Sequence, residues 1–313
     1  MLIPEDPHKG LLDDETATAF ASEQLNTWTA LLRDLANYGS NLIPRAYTSS
    51  DKTLGDAVVI GILLRQVVAM ADAIEILLCR SAIHASTLQL RAMFEAAVYL
   101  EWMLAGDREK KASYYYVYNL LRLRRWAMRV QPGTAESANF KAIFDSAGLP
   151  LDQTLGDEGK HQSEEIDRVL SQDRFAAIRQ DFLDWKKQNK RQPSWYSPLG
   201  VSDLRTMAKA VGKEPLYEIV YGPGSEVMHA SNYGQHISFN ANKISFHSIR
   251  HPKQFSFVVR MTGIFAITVF RRVLAEYREG ELQSRFGLKY LEKWQQAFMN
   301  IPRIDVKASE IGL

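Results

Sequence analysis

Residues 84–104, HASTLQLRAMFEAAVYLEWML, constrain the fold more than any other stretch of the chain. Positions three, four and seven apart share a helix face, and Leu90, Met93, Phe94, Ala97, Leu100 and Leu104 fall on one such face. A second face runs through His84, Leu88, Arg91, Glu95, Tyr99 and Trp102, apolar at its ends and charged in its middle. A helix that is apolar on most sides belongs in an interior, so the remaining chain must wrap around this one. Arg91 and Glu95 then go inside with it. A buried charge is paired and hydrogen-bonded or it costs several kcal/mol. Arg before Glu at this spacing adds little to an isolated helix, which leaves two readings. The two residues form a core ion pair that fixes helix register, or they are half of a site completed elsewhere in the chain.

The surrounding sequence supplies the wrapping. Phe20, Leu25, Trp28, Leu31, Leu32 and Leu35 predict a helix over 15–43, and 52–81 is helical with a narrow polar stripe of Arg65, Asp72 and Glu75. These two and 84–104 would pack as antiparallel neighbours. A fourth helix is predicted from Asp107 to Val130, stopped by Pro132 and Gly133, and a short one within 134–149. The polar, glycine-containing 150–162 reads as a flexible loop or subdomain boundary, with Ser163 capping the helix after it. Ser202 begins another helix, ending at Gly212. Gly222-Pro223-Gly224 should kink or split the segment 214–231, with Pro223 in a new first turn. Residues 235–248 alternate enough for a small β-hairpin, and helices over 255–279 and 282–299 close the chain. Residues 1–14 read as a loose arm. The expected fold is an all-α bundle of about eight to ten helices, a single domain over 15–313.

Composition sets limits on function. With 313 residues, 46 % hydrophobic and 24 % charged, the chain can bury a substantial core. A net charge of +2 provides no chain-wide attraction for nucleic acid or membrane, so any anion site must be a local patch. Cys79 is the only cysteine, which excludes an intrachain disulfide and cysteine metal clusters and fits a reducing cytoplasm. The start, MLIPEDPHKG, has no signal-peptide core. A membrane span needs about 20 mostly apolar residues. The run 57–79 is interrupted by Arg65, Gln66, Asp72 and Glu75, and 261–270 is short, so both are expected in the core and no membrane association is expected.

Two groups of residues carry candidate chemistry. In 214–231 Tyr217, Tyr221, Ser225 and His229 recur every four residues. His229 is a natural general acid or base near neutral pH. Glu95 could orient it, and Tyr217 or Tyr221 could donate to a developing anion, giving a catalytic set of His229, Arg91 and Glu95 beside a binding pocket of Tyr217, Tyr221 and Ser225. The same groups could equally satisfy each other's hydrogen bonds inside a bundle. The second group is Tyr118, Arg122, Arg125 and Arg129, on one face of the fourth helix, where aromatic and guanidinium groups together suit bases and phosphates. A charged helix face is also the usual solvated surface, and basic residues in a last turn suit the helix dipole. His236, His247 and His251 lack the spacing of a zinc site, Ser225 has no Gly-x-Ser-x-Gly elbow, and Gly222-Pro223-Gly224 is no phosphate loop. No metal and no cofactor is expected.

Arg91 and Glu95 within LRAMFEAAVYL, followed by Trp195, the SDLRTMAKAVG helix and the Tyr217, Tyr221, Ser225, His229 ladder, resemble a bacterial all-α family of unknown function over about residues 55–235. Such proteins are similar to helical domains of antiviral defence and toxin–antitoxin systems, some of them HEPN-type ribonucleases. The resemblance implies a helical bundle with a shared polar pocket. Those nucleases carry an Arg close before the catalytic His, whereas His229 has no Arg among the ten residues before it. A nuclease of this kind would have to take Arg91 from another helix. The leading expectation is a regulatory or binding module whose pocket takes a nucleotide-like ligand, RNA or a protein partner, with room for a homodimer. The rivals are a metal-independent HEPN-like ribonuclease using His229 and Arg91, and a purely structural bundle.

Overall fold

A computed structural model describes residues 12, 14–150, 154–231, 234, 236–240 and 243–301 of the chain. The described residues are helical apart from their connections and one hairpin, an all-α architecture as the apolar spacing predicts. They group into two compact units, Met1–Gly106 with Leu204–Leu313, and Asp107–Asp203. The sequence alone predicted one continuous domain. Most of the expected loose arm lies outside the described residues.

In the first unit the helix Ile83–Leu104 buries Leu90, Met93, Phe94, Ala97, Leu100 and Leu104. The helices Arg65–Leu78 and Phe255–Tyr277 pack against it, and the long Asn26–Thr48 helix packs on both of these. Leucine- and phenylalanine-sized side chains buried in this way contribute roughly 1.5–3 kcal/mol each. The helix predicted to stop near residue 43 continues through Pro44 to Thr48. Leu54–Leu78 begins at a capping box, in which the Thr53 hydroxyl accepts from the Asp56 amide and the Asp56 carboxylate from the Thr53 amide, each at 3.2 Å. Among the described residues this is the one helix long and apolar enough to cross a membrane, with half of its most apolar window buried inside the protein. Its Glu75, one of the polar interruptions, is buried and ion-paired with Arg33.

The hairpin expected within 235–248 is present, with Ile237–Asn240 paired antiparallel to Lys243–Phe246. Phe239, Ile244 and Phe246 are exposed on it.

The second unit is built on the helix Arg108–Val130, started by Asp107, whose carboxylate accepts from the Lys110 amide at 3.0 Å. Ala135–Ser146, Thr154–Leu170 and Asp173–Asn189 surround it. The expected loop over 150–162 is largely helix: Thr154–Leu170 runs through it, and Ser163 is a buried interior residue rather than a cap, donating to Gln131 Oε1 at 2.8 Å. The glycines that suggested a loop are contact points. A Cβ at Gly159 would lie 2.8 Å from the Ala127 carbonyl oxygen and 2.5 Å from Val130 Cγ2. Only a residue without a side chain lets the two helix backbones come this close. Tertiary packing overrides the glycine's poor helix propensity.

Candidate functional site

Arg91 lies where the central helix meets Tyr217–Met228. That segment opens with a wider, π-type turn at Tyr217–Tyr221 and continues as the helix Gly222–Met228, with Pro223 in its first turn. Turns of this type are frequent at functional sites. Pro223 stands in the first turn of that helix, and the path before it stays helical, with the Gly222 amide donating to the Tyr217 carbonyl across the wider turn. Gly224 is buried against the stem of Arg91: a Cβ on it would meet Arg91 Cβ at 2.8 Å and Cδ at 3.2 Å. The guanidinium is thereby delivered to the tyrosine ladder. Arg91 Nη2 donates to the Tyr221 hydroxyl at 2.9 Å and Nη1 to Met228 Sδ at 2.9 Å, with Cζ 4.3 Å from the Tyr221 ring centroid. Tyr217 stacks on Tyr221 at 4.9 Å.

The structure therefore brings Arg91, Tyr217 and Tyr221 together. Glu95 takes a different partner: Tyr99 donates to Glu95 Oε1 at 2.7 Å, and among the described residues Arg91 and Glu95 make no ion pair with each other. Ser225 is half-buried beyond the ladder. His229 follows the last residue of its helix, exposed, with no described contact to Arg91 or Glu95. The four-residue period carried into His229 ends where the helix ends. The proposed catalytic set is thus not assembled as one group. Because the Gly224 contact is to the rigid Cβ of Arg91 and not to a flexible side-chain tip, Gly224→Ala is expected to cost about 1–3 kcal/mol. Arg91→Ala keeps that Cβ, so Gly224→Ala should cost about as much in its background as in the wild type, read as thermal midpoints of the two single variants and the double.

The central helix also holds a polar pair with no obvious sequence signal. Lys213 Nζ lies 3.1 Å from Glu101 Oε1, the two side chains only 10 % and 14 % exposed. Burial pushes the Glu101 carboxyl above its usual range, with Lys213 and Arg272 pulling it back. Lys213 follows Gly212 in what reads as a surface turn. The only hint is Glu101 itself, a charge in an apolar run. Near the hairpin, His84 and His236 meet edge to face at 4.9 Å, His247 and His251 are buried, and the His247 amide donates to the His236 carbonyl at 2.8 Å. No group of three or more His, Cys, Asp or Glu among the described residues is arranged to hold a metal.

In the second unit Tyr118, Arg122, Arg125 and Arg129 sit on Arg108–Val130 as the spacing requires, the three arginines exposed. Among the described residues none of these arginines has a carboxylate partner, whereas Arg124 on the same helix is held by Asp167 at 2.5 and 3.1 Å. Trp126, which the sequence did not single out, stands among them 53 % exposed, with Arg129 Cζ 5.5 Å from its ring centroid and Arg122 Cζ 5.9 Å from that of Tyr118. Phe140 braces the tryptophan edge-on at 6.0 Å.

The sequence model of a family described as a family of unknown function (DUF5677) matches residues 56–244. That match takes in the central helix, the whole second unit and the tyrosine ladder. No curated protein and no solved structure matches the chain.

Proposed function

The chain belongs to that family, DUF5677, whose description assigns no activity, and we propose that it is a binding module that takes single-stranded RNA on the exposed face of Arg108–Val130. The observation that carries this reading is the grouping of Arg122, Arg125 and Arg129, free of carboxylate partners among the described residues, around a half-exposed Trp126. Unneutralised guanidinium groups exchange counterions for phosphates. An exposed aromatic face stacks a base of any identity for roughly 1–3 kcal/mol. With a net charge of only +2, the attraction is local, so affinity should be modest and strongly dependent on salt.

Fluorescence anisotropy with a labelled single-stranded RNA of roughly ten nucleotides tests it. If three phosphates are contacted, log K should fall against log salt with a slope of about −2. Alanine at Arg122, Arg125 and Arg129 together should remove most of that slope. Trp126→Ala should weaken binding about tenfold at constant slope. Binding that none of these exposed substitutions changes, or no binding at low salt, would refute the reading.

A further inference from the structure

On the other flank of the same helix, wholly within the second unit, lies a cleft of about 500 Å³, a volume in the range of small-ligand sites. Arg108–Val130 and Asp173–Asn189 supply most of its walls, with Asp167 and Leu170 of Thr154–Leu170 at one side. One wall is apolar: the Tyr118 and Phe182 rings lie 6.1 Å apart at 35°, Phe182 the more buried, beside Leu121 and Leu170. The polar lining is unbalanced. Arg124 and Asp167 neutralise each other, leaving Arg125, Arg179 and Lys186 with no carboxylate partner among the described residues. Arg179 Nε is buried and has no hydrogen-bond partner among the described residues. A buried N–H left unpaired costs about 1–3 kcal/mol, so it is a donor for which the described residues provide no acceptor.

We propose that this cleft binds a nucleoside monophosphate, with the phosphate on Arg125, Arg179 and Lys186 and the base along Tyr118 and Phe182. Three cations exceed what a carboxylate needs and suit a phosphate dianion, for which a guanidinium fork is the preferred partner. An aromatic lining suits a base better than an acyl chain, with Tyr118 the more open of the two rings, and Gln180 and Gln192 at the cleft offer amide groups to a base edge. Arg125 is common to the basic face and the cleft, but Arg122, Trp126 and Arg129 line no part of the cleft, so the proposal does not require the RNA reading.

The test is calorimetric titration of the full chain with AMP, GMP, CMP and UMP, and separately with adenosine and with inorganic phosphate. At least one monophosphate should bind, with adenosine and phosphate each about tenfold weaker or more. Arg179→Ala and Lys186→Ala should each weaken the monophosphate about tenfold, and Arg179→Lys should fail to restore it, lacking the Nε donor. Trp126→Ala, which tests RNA binding, should leave it unchanged. Lys186 is exposed, so its variant reports on the cleft even if Arg179→Ala does not fold. Equal affinity for adenosine and AMP, no binding of any monophosphate at millimolar concentration, or no effect of either alanine would overturn the proposal. A loss of RNA binding in Trp126→Ala with nucleotide binding intact supports both sites separately.

Discussion

Lys213→Ala is expected to destabilise the fold by about 3–5 kcal/mol, the range for breaking one side of a buried ion pair. The mechanism is the charge left behind more than the attraction lost. Glu101 sits on the innermost helix with a side chain 14 % exposed, and Lys213 is the partner that touches it. Without the ammonium the carboxyl, already raised by burial, would have to protonate or draw in water. Arg272 is close enough to act on Glu101 electrostatically, but its Nη2 donates to the Leu104 carbonyl at 2.8 Å, so its hydrogen bonding is directed elsewhere. The double change Glu101→Leu with Lys213→Met should recover most of the loss, since a well-packed apolar pair often equals a buried ionic one. Denaturant unfolding of the two variants and the wild type decides it. A cost below about 1 kcal/mol for Lys213→Ala would place the pair with solvent-exposed ion pairs.

Acidification should destabilise the first unit through His251. Burial first, then the neighbouring positive charge of Lys253 and the imidazoles of His247, His84 and His236, lowers its folded pKa to about 4. Unfolded, it titrates at its ordinary value of 6.5. Above that value neither state binds the proton and His251 has no effect on stability. Between about 6.5 and about 4 the unfolded chain takes up a proton that the folded one refuses, so stability falls as pH falls. At about 1.4 kcal/mol per unit the loss approaches about 3 kcal/mol near pH 4. His84, also lowered by burial and by His236, adds to it in the same direction. His251→Gln has no proton to take up, so its unfolding free energy should decline less than that of the wild type between pH 7 and pH 4.5. Parallel decline in the two proteins would refute the assignment.

The candidate sites divide along the same line as these predictions. The basic face of Arg108–Val130 could be read from spacing because all of its residues are on one helix, whose geometry follows from local sequence. Trp126 escaped notice because its exposure depends on the neighbouring helices and not on its period. The cleft beside it was illegible: Arg179 and Lys186 share the helix Asp173–Asn189, but only the docking of that helix brings them to one cavity with Arg125, which lies far earlier in the sequence. The polar centre was half legible. Arg91 and Glu95 were recognisable as charges in a buried helix, but which partner each takes is not encoded in their spacing. Arg91 reaches across 130 residues to Tyr221, and Glu95 takes Tyr99 from its own helix. His229 closes the last turn of its helix, its amide donating to the Ser225 carbonyl at 3.1 Å, but its place at the helix end and its exposure follow from where the helix stops and not from the four-residue period.

By itself, then, the amino-acid order determined the helical class, the position of the central helix and the short hairpin. All of these depend on apolar period and on hydrogen bonds between residues a few positions apart. The division into two units, the helix through 154–162, the Glu101–Lys213 pair and the cationic cleft were decided by tertiary structure. Each depends on which surfaces meet, and a contact such as that of Gly159 with Ala127 has no local signature until the two helices lie side by side.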